Sequence, residues 1–169
     1  MKALARLMIA AGLPFLIGGV AHADDSRFLA AFQGKFAGKG MVKISTDAPT
    51  VNVTCDFNSN ATASSLALDG RCRGFVLVTR DISANLKVSG AKYSGTYIGS
   101  RTGPARLNGR RSGNAIDLVI SWAKPVNGNN QSQLIVEKRG QDGMRLKVID
   151  LDRKTGKNVV TSQIDLRRT

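Results

Sequence analysis

Apolar and polar residues alternate with a period of two along most of this 169-residue chain, as in the run Val51–Phe57. Successive side chains of a β-strand point to opposite faces, so the pattern predicts strands with one buried and one solvent-facing side. Dipeptides that favour tight turns separate these runs at short intervals, among them Asp69-Gly70, Asn108-Gly109 and Gly113-Asn114. We therefore expect about nine to eleven antiparallel strands joined by short turns.

Such short connections favour a meander, which either closes into a barrel or folds over as a sandwich. We predict a single all-β domain of this kind, an up-and-down β-barrel or sandwich with a short N-terminal helix. In that helix Asp24-Asp25-Ser26 supplies the N-cap. Phe28, Leu29 and Phe32 lie on one face, and Gly34 ends the helix.

The first 23 residues have the features of a secretory signal peptide. Lys2 and Arg6 precede an apolar run from residue 7 to residue 20, and Ala21-His22-Ala23 is a small-residue cleavage pattern. The apolar run is shorter than the roughly 20 residues needed to span a bilayer. We expect cleavage between Ala23 and Asp24, a single β domain over residues 24–169 without a transmembrane segment, and a periplasmic or secreted location.

Cleavage would remove His22, the only histidine, and would lower the formal net charge from +13 to +11. A chain without histidine cannot form a Ser-His-Asp triad, a Cys-His pair or a histidine-ligated metal site. Glu137 is the only glutamate, so few groups would titrate near neutral pH. We expect a protein that is not an enzyme and that carries no cofactor and no metal.

Export also determines which state of the two cysteines is expected. Cys55 and Cys72 are the only two cysteines, and both lie in strand-like stretches. Oxidising compartments favour disulfides, and sixteen residues separate the two thiols, whereas redox-active pairs usually have two intervening residues. A structural disulfide is the prediction, with a redox pair or free thiols as the alternatives.

The chain resembles known proteins in three respects. The short helix followed by Gly34-Lys35-Phe36 and a β meander resembles the calycin, or lipocalin-like, plan, with Phe36 at the position of that plan's tryptophan. The segments Tyr93–Tyr97 and Ile120–Trp122 resemble strand motifs of avidin-type barrels. The chain is also similar to small exported proteins of Gram-negative bacteria, which implies a periplasmic setting.

Positive charge is concentrated in residues 71–111, which hold nine Lys or Arg residues and one acid, Asp81. Within this basic region the anion-binding candidates are Arg101, Arg106, Arg110 and Arg111, because guanidinium groups on tight turns can hold a phosphate or a carboxylate. The alternative is a solvated face that serves solubility. The expected partner is an anionic envelope component such as lipopolysaccharide, phospholipid or an acidic glycan, or else a protein. Nucleic acid is disfavoured because base-stacking aromatics are scarce.

Aromatic residues at strand positions give a second set of candidates. Phe75, Tyr93, Tyr97 and Trp122 would line a pocket if the barrel encloses one, and otherwise they belong to the core. Asp150 and Asp152 share a strand face and are interpreted as the polar edge of a turn. The leading functional hypothesis is therefore a non-enzymatic envelope protein that binds an anionic partner. The alternatives are a lipocalin-like carrier of a small apolar ligand and a protein-binding inhibitor or assembly factor.

Overall fold

The computed structural model describes residues 20–74 and 78–169. These residues form one helix, α1, and ten strands, β1 to β10. Their bounds are α1 Val20–Ala30, β1 Gly34–Val42, β2 Val51–Ala61, β3 Ser65–Gly74, β4 Val78–Ser89, β5 Lys92–Ile98, β6 Ala105–Ser112, β7 Ala115–Val126, β8 Asn129–Arg139, β9 Gly143–Leu151 and β10 Asn158–Arg168.

Each strand pairs antiparallel with the next along the chain, and β10 pairs with β1 to close a barrel. The all-β, up-and-down prediction is confirmed, and the barrel rather than the sandwich is the form adopted. Closure gives every strand two partners, which removes the exposed sheet edges at which a flat sheet would aggregate.

Helix α1 covers one end of the barrel. Phe28, Leu29 and Phe32 are buried, as their shared helical face predicts, and the first and last rings meet edge to face with centroids 5.1 Å apart. The Arg111 guanidinium lies 4.2 Å from the Phe28 ring centroid. The side chain of Arg168 donates to the backbone carbonyls of Ala31 and Gln33, in the turn that follows α1. We call this the helix end of the barrel.

Inward-facing apolar side chains fill the barrel from the helix end upward. The alternation of apolar and polar residues in the sequence matches the alternation of buried and exposed side chains. In β2, residues 53, 55 and 57 are buried, while residues 52, 54 and 56 are exposed. Phe36, the residue at the tryptophan position of the calycin plan, is 2% exposed, and Arg168 lies over its ring. Cys55 and Cys72 face each other across β2 and β3 and form the predicted disulfide.

Three predicted turns lie instead within strands, the first of them Asn58-Ser59-Asn60 in β2. Gly70 is in the middle of β3, where a Cβ atom would lie 2.3 Å from the Phe57 ring. Gly109 is in β6, where a Cβ atom would lie 1.9 Å from the backbone oxygen of Asp117. Both glycines are required for close packing rather than for chain reversal. The real β6–β7 turn is at Gly113-Asn114, as predicted.

The helix also begins earlier than predicted, at Val20 rather than at an N-cap formed by residues 24–26. The preceding residues include Ala21 and Ala23, and alanine has the highest helix propensity, so the helix extends across the expected cleavage site. The rest of the predicted signal peptide, residues 1–19, lies outside the described residues. Within the part of the chain that the structure describes, no helix is long and apolar enough to cross a membrane.

Candidate functional site: a basic face on the barrel wall

Strand parity divides the basic region into groups that point in different directions. Arg80 on β4 and Arg111 on β6 share the parity of buried neighbours and face inward, and both are only partly exposed. Arg101 lies in the connection between β5 and β6. The other six cations point outward into solvent: Arg71, Arg73, Lys87, Lys92, Arg106 and Arg110.

Four of the outward cations lie together on β4, β5 and β6, and we call this surface the basic face: Lys87, Lys92, Arg106 and Arg110. Lys92 lies directly opposite Arg110 in the strand register. Lys87 lies opposite Ser94, which is two residues from Lys92 along β5. Neighbouring strands are about 4.8 Å apart and alternate residues about 6.8 Å apart, so the four Cα atoms fall within roughly 15 Å.

Within β4, β5 and β6, the residues around the four cations are uncharged. The other outward residues between Ser83 and Ser112 on these strands are serines, Asn85, Thr96, Ile98 and Asn108, and none is a carboxylate. The nearest acids in the register are Asp69, opposite Ser83, and Asp117, opposite Arg110. Four cations with these two acids only at the border produce a local positive potential that attracts anions.

Ion pairing distinguishes the basic face from the adjacent wall of β2 to β4. There Arg71 Nε lies 2.6 Å from Asp81 Oδ1, and Arg73 Nη1 lies 3.2 Å from Asp56 Oδ2. Hydrogen bonding to Arg71 lowers the pKa of the Asp81 carboxyl below its usual value, so this pair stays charged. Across residues 20–74 and 78–169, no cation of the basic face lies within 4.0 Å of a carboxylate oxygen. The basic face is therefore available to an external anion.

Only two of the four predicted anion-binding arginines are on the basic face, namely Arg106 and Arg110. Arg101 lies beyond the far end of β6, in the loop away from the helix end. Arg111 faces inward, where its Nη1 lies 3.1 Å from Asp25 Oδ1 and its guanidinium covers the Phe28 ring. Lys87 and Lys92 are not among the anion-binding candidates predicted from the sequence, because their proximity to β6 depends on the cross-strand register.

The aromatic pocket candidates are likewise distributed between the two ends of the barrel. Tyr93 is 1% exposed and lies near Asp25 of the helix end, where burial, reinforced by the Asp25 charge, raises its pKa to about 12. Tyr97 and Trp122 lie toward the opposite end, with ring centroids 5.8 Å apart, and burial raises the pKa of Tyr97 to about 12. Phe75 lies outside the described residues.

A buried polar network lies at the end opposite the helix, centred on Asp150. This carboxylate is 2% exposed and accepts hydrogen bonds from the Ser132 hydroxyl, from Thr161 Oγ1 at 2.5 Å and from Asn127 Nδ2 at 3.2 Å. Trp122 Nε1 in turn donates to Ser132 Oγ at 2.7 Å. Asp150 is thus an interior residue, and the prediction that it belongs to the polar edge of a turn is wrong.

Asp152 has the turn role that the sequence predicted. Its Oδ1 accepts from the backbone amide of Lys154 at 2.9 Å, and its Oδ2 accepts from Thr155 Oγ1 at 3.0 Å. These hydrogen bonds lower the pKa of the Asp152 carboxyl. Asp150 and Asp152 therefore have separate sets of partners and do not act as a paired acid site.

Comparison with known proteins supports the fold and does not assign a family. No family model matches the chain, and no curated protein matches it in sequence. Among solved structures, the crystal structure of Rv2717c from M. tuberculosis is similar, with a TM-score of 0.63 and 13% sequence identity. The match covers 85% of this chain and 96% of that one. At this identity the likeness concerns the fold alone.

Proposed function

We propose that this protein is an exported, non-enzymatic binding protein that holds an anionic partner on its basic face. The observation that carries the proposal is the grouping of Lys87, Lys92, Arg106 and Arg110 on one outer surface without a carboxylate among them. Lysine and arginine side chains that retain their charge and extend into solvent are suited to phosphate, sulfate and carboxylate groups.

The export part of the proposal is supported by two independent features. The first 23 residues follow the pattern of a signal peptide. The Cys55–Cys72 disulfide is the kind of bond that persists in oxidising compartments such as the periplasm. The partner would accordingly be an envelope component, and a relationship to the calycin-like barrels is consistent with the closed meander and the buried Phe36.

Retention on immobilised heparin, used as a generic polyanion, tests the proposal. The test variant replaces all four cations of the basic face by glutamine. The control variant replaces Arg27, Lys39, Lys124 and Arg167, four exposed cations at other places on the surface, and so changes the net charge by the same amount. We expect the wild type and the control to elute at similar salt concentrations and the test variant to elute much earlier.

Equal loss of retention in the two variants would contradict the proposal, because binding would then follow net charge and not the arrangement of the basic face. Single variants add resolution. Arg110→Gln should weaken retention more than Arg101→Gln, since Arg110 lies beside Lys92 and Arg101 lies in a loop beyond the strands. Arg111→Gln should leave retention unchanged, because that guanidinium is directed toward the helix end.

A second candidate function is the carriage of a small ligand at the end opposite the helix. The partly buried Tyr97–Trp122 pair and the inward-facing Arg80 favour it. Trp122 is the only tryptophan, so its fluorescence reports directly on that end of the barrel. A saturable change in this fluorescence on addition of a small aromatic or fatty carboxylate is expected for a carrier, and unchanged emission across such a series would argue against it.

A further inference from the structure

A groove of about 740 Å³ adjoins the basic face on the outside of the barrel. Its lining residues come from β6 to β9, from Asn158 at the start of β10 and from the residues around the start of β5. Clefts that bind small molecules commonly have volumes of about 300–1,000 Å³. The groove is therefore large enough to receive part of a ligand whose charged group lies on the basic face.

Apolar side chains are exposed on the floor of the groove. Val119 and Leu151 line it and are 42% and 43% exposed, which is unusual for large apolar side chains on this barrel. Val119 is on β7, and Leu151 and the half-buried Ile149 are on β9, with Gln133 of β8 between Val119 and Ile149. These three side chains form an apolar patch that the glutamines of β8 interrupt. Exposed apolar patches bordered by polar residues are characteristic of binding surfaces.

The wall toward β5 is cationic. Lys92 and Arg110 line the groove and are at the same time members of the basic face. Asn108 is two residues from Arg110 on the outward face of β6. It lies directly opposite Val119 of β7, so the polar wall and the apolar floor are on neighbouring strands. One surface thus offers positive charge on β5 and β6 and exposed hydrocarbon that begins on the next strand, β7.

We infer that the anionic partner is an amphiphile, a lipid with a phosphate headgroup. Lys92 and Arg110 would bind the headgroup, and Val119, Ile149 and Leu151 would contact the first part of an acyl chain. The inference rests on the proposed function, since it uses the same cations. An acidic glycan would engage the cations but would gain nothing from the apolar floor, so the floor is what favours a lipid.

Asp117 provides a test of whether the headgroup that binds here is negatively charged. This half-buried carboxylate lies opposite Arg110 and also lines the groove. A headgroup on Lys92 and Arg110 would be repelled by the negative charge of Asp117. Asp117→Asn should therefore tighten the binding of an anionic lipid several-fold and leave the binding of a zwitterionic lipid unchanged.

The experiment measures binding of short-chain phosphatidic acid, kept monomeric, by titration calorimetry with the full exported chain. The comparison ligands are glycerol 3-phosphate, which lacks acyl chains, and phosphatidylcholine of the same chain length, which lacks net charge. We expect phosphatidic acid to bind at least tenfold more tightly than either. Affinity should rise with chain length, by up to about fourfold for each methylene that becomes buried.

Three variants separate the contributions. Val119→Ser combined with Leu151→Ser should reduce phosphatidic acid affinity to that of glycerol 3-phosphate while leaving heparin retention intact. Lys92→Gln combined with Arg110→Gln should weaken both. Ile98→Ser is the matched control, because Ile98 is another exposed apolar residue, 47% accessible, that does not line the groove. It should leave lipid binding unchanged.

The outcomes distinguish this inference from the proposed function. Heparin retention that depends on the basic face, together with phosphatidic acid binding no tighter than glycerol 3-phosphate, would overturn the lipid inference and leave the proposed function standing. If heparin retention does not depend on the basic face and phosphatidic acid binds no more tightly than glycerol 3-phosphate, both the proposed function and the lipid inference are overturned. If the free protein is a dimer that the Val119→Ser, Leu151→Ser variant dissociates, a second copy covers the groove and the lipid inference is wrong.

Discussion

At the scale of single residues, the buried carboxylate of Asp150 shows how polar groups are accommodated inside this barrel. Its two oxygens accept from Ser132 of β8, Thr161 of β10 and Asn127 of the β7–β8 turn, so the protein itself satisfies this buried side chain. The network thereby links β8, β9 and β10 at the end opposite the helix.

Asp150→Asn should destabilise the protein by about 1–3 kcal/mol, because the new amide group directs donor hydrogens at side chains that already donate. Urea unfolding measures the effect. Asp69→Asn serves as the control, since Asp69 is exposed on the outer face of β3, and its free energy of unfolding should change by less than about 0.5 kcal/mol. Equal effects of the two substitutions would contradict the role assigned to the network.

The two tyrosines make a prediction about alkaline pH. Burial raises the pKa of both Tyr93 and Tyr97 to about 12, whereas tyrosines of an unfolded chain ionise near pH 10. Stability from this source is thus complete below about pH 10 and is lost as the pH rises toward 12. In a spectrophotometric titration the native protein should form little tyrosinate at pH 10. A normal transition at that pH would contradict the burial of these hydroxyls.

At the scale of strands, glycine determines how closely neighbouring backbones approach. A Cβ atom on Gly95 of β5 would lie 1.8 Å from the backbone oxygen of Asn85 on β4. Backbone cannot move aside as a flexible side chain can, so an added methyl group must push two strands apart.

Gly95→Ala should therefore lower the free energy of unfolding by about 1–3 kcal/mol, measured by urea denaturation. The matched control is Ser94→Ala, one residue away on the outward face, which should be almost neutral. A Gly95→Ala protein as stable as the control would mean that β4 and β5 are not packed as closely as described.

Strand geometry determines which parts of the fold and of the site can be predicted from the sequence. Alternation of apolar and polar residues is a local property, so the strands and the buried helical face could be predicted from the sequence alone. Gly70 and Gly109 have the sequence pattern of turns but lie in strands. Gly70 leaves room for the Phe57 ring and Gly109 for the backbone of β7, and the sequence does not show that these groups lie next to the glycines. Parity along one strand also shows that Arg110 and Arg111 point to opposite faces.

The remainder of the site depends on contacts between distant parts of the chain. Lys87 and Lys92 join Arg106 and Arg110 through the pairing of three strands, and neighbouring positions in the sequence do not specify that register. The donors to Asp150 come from residues 11 to 23 positions away. Such groupings become visible only once the barrel is closed.

At the scale of the whole molecule, closure of the barrel separates the chain's positive charge into distinct environments. Some cations are neutralised in ion pairs on the wall of β2 to β4, and Arg111 secures the helix end. The four cations of the basic face remain on a rigid sheet that the Cys55–Cys72 disulfide reinforces on the neighbouring strands. The pairing of the three strands sets the spacing of these cations before any partner binds.

The most direct test of the central claim is a heteronuclear NMR titration of the protein with a short heparin oligosaccharide. We predict that the amides with the largest saturable shifts belong to the outward residues of β4, β5 and β6, centred on Lys92 and Arg110. These shifts should disappear when the four cations of the basic face are replaced by glutamine. Shifts centred on the loop of Arg101 or on the helix end, or shifts spread evenly over the surface, would contradict binding at the basic face.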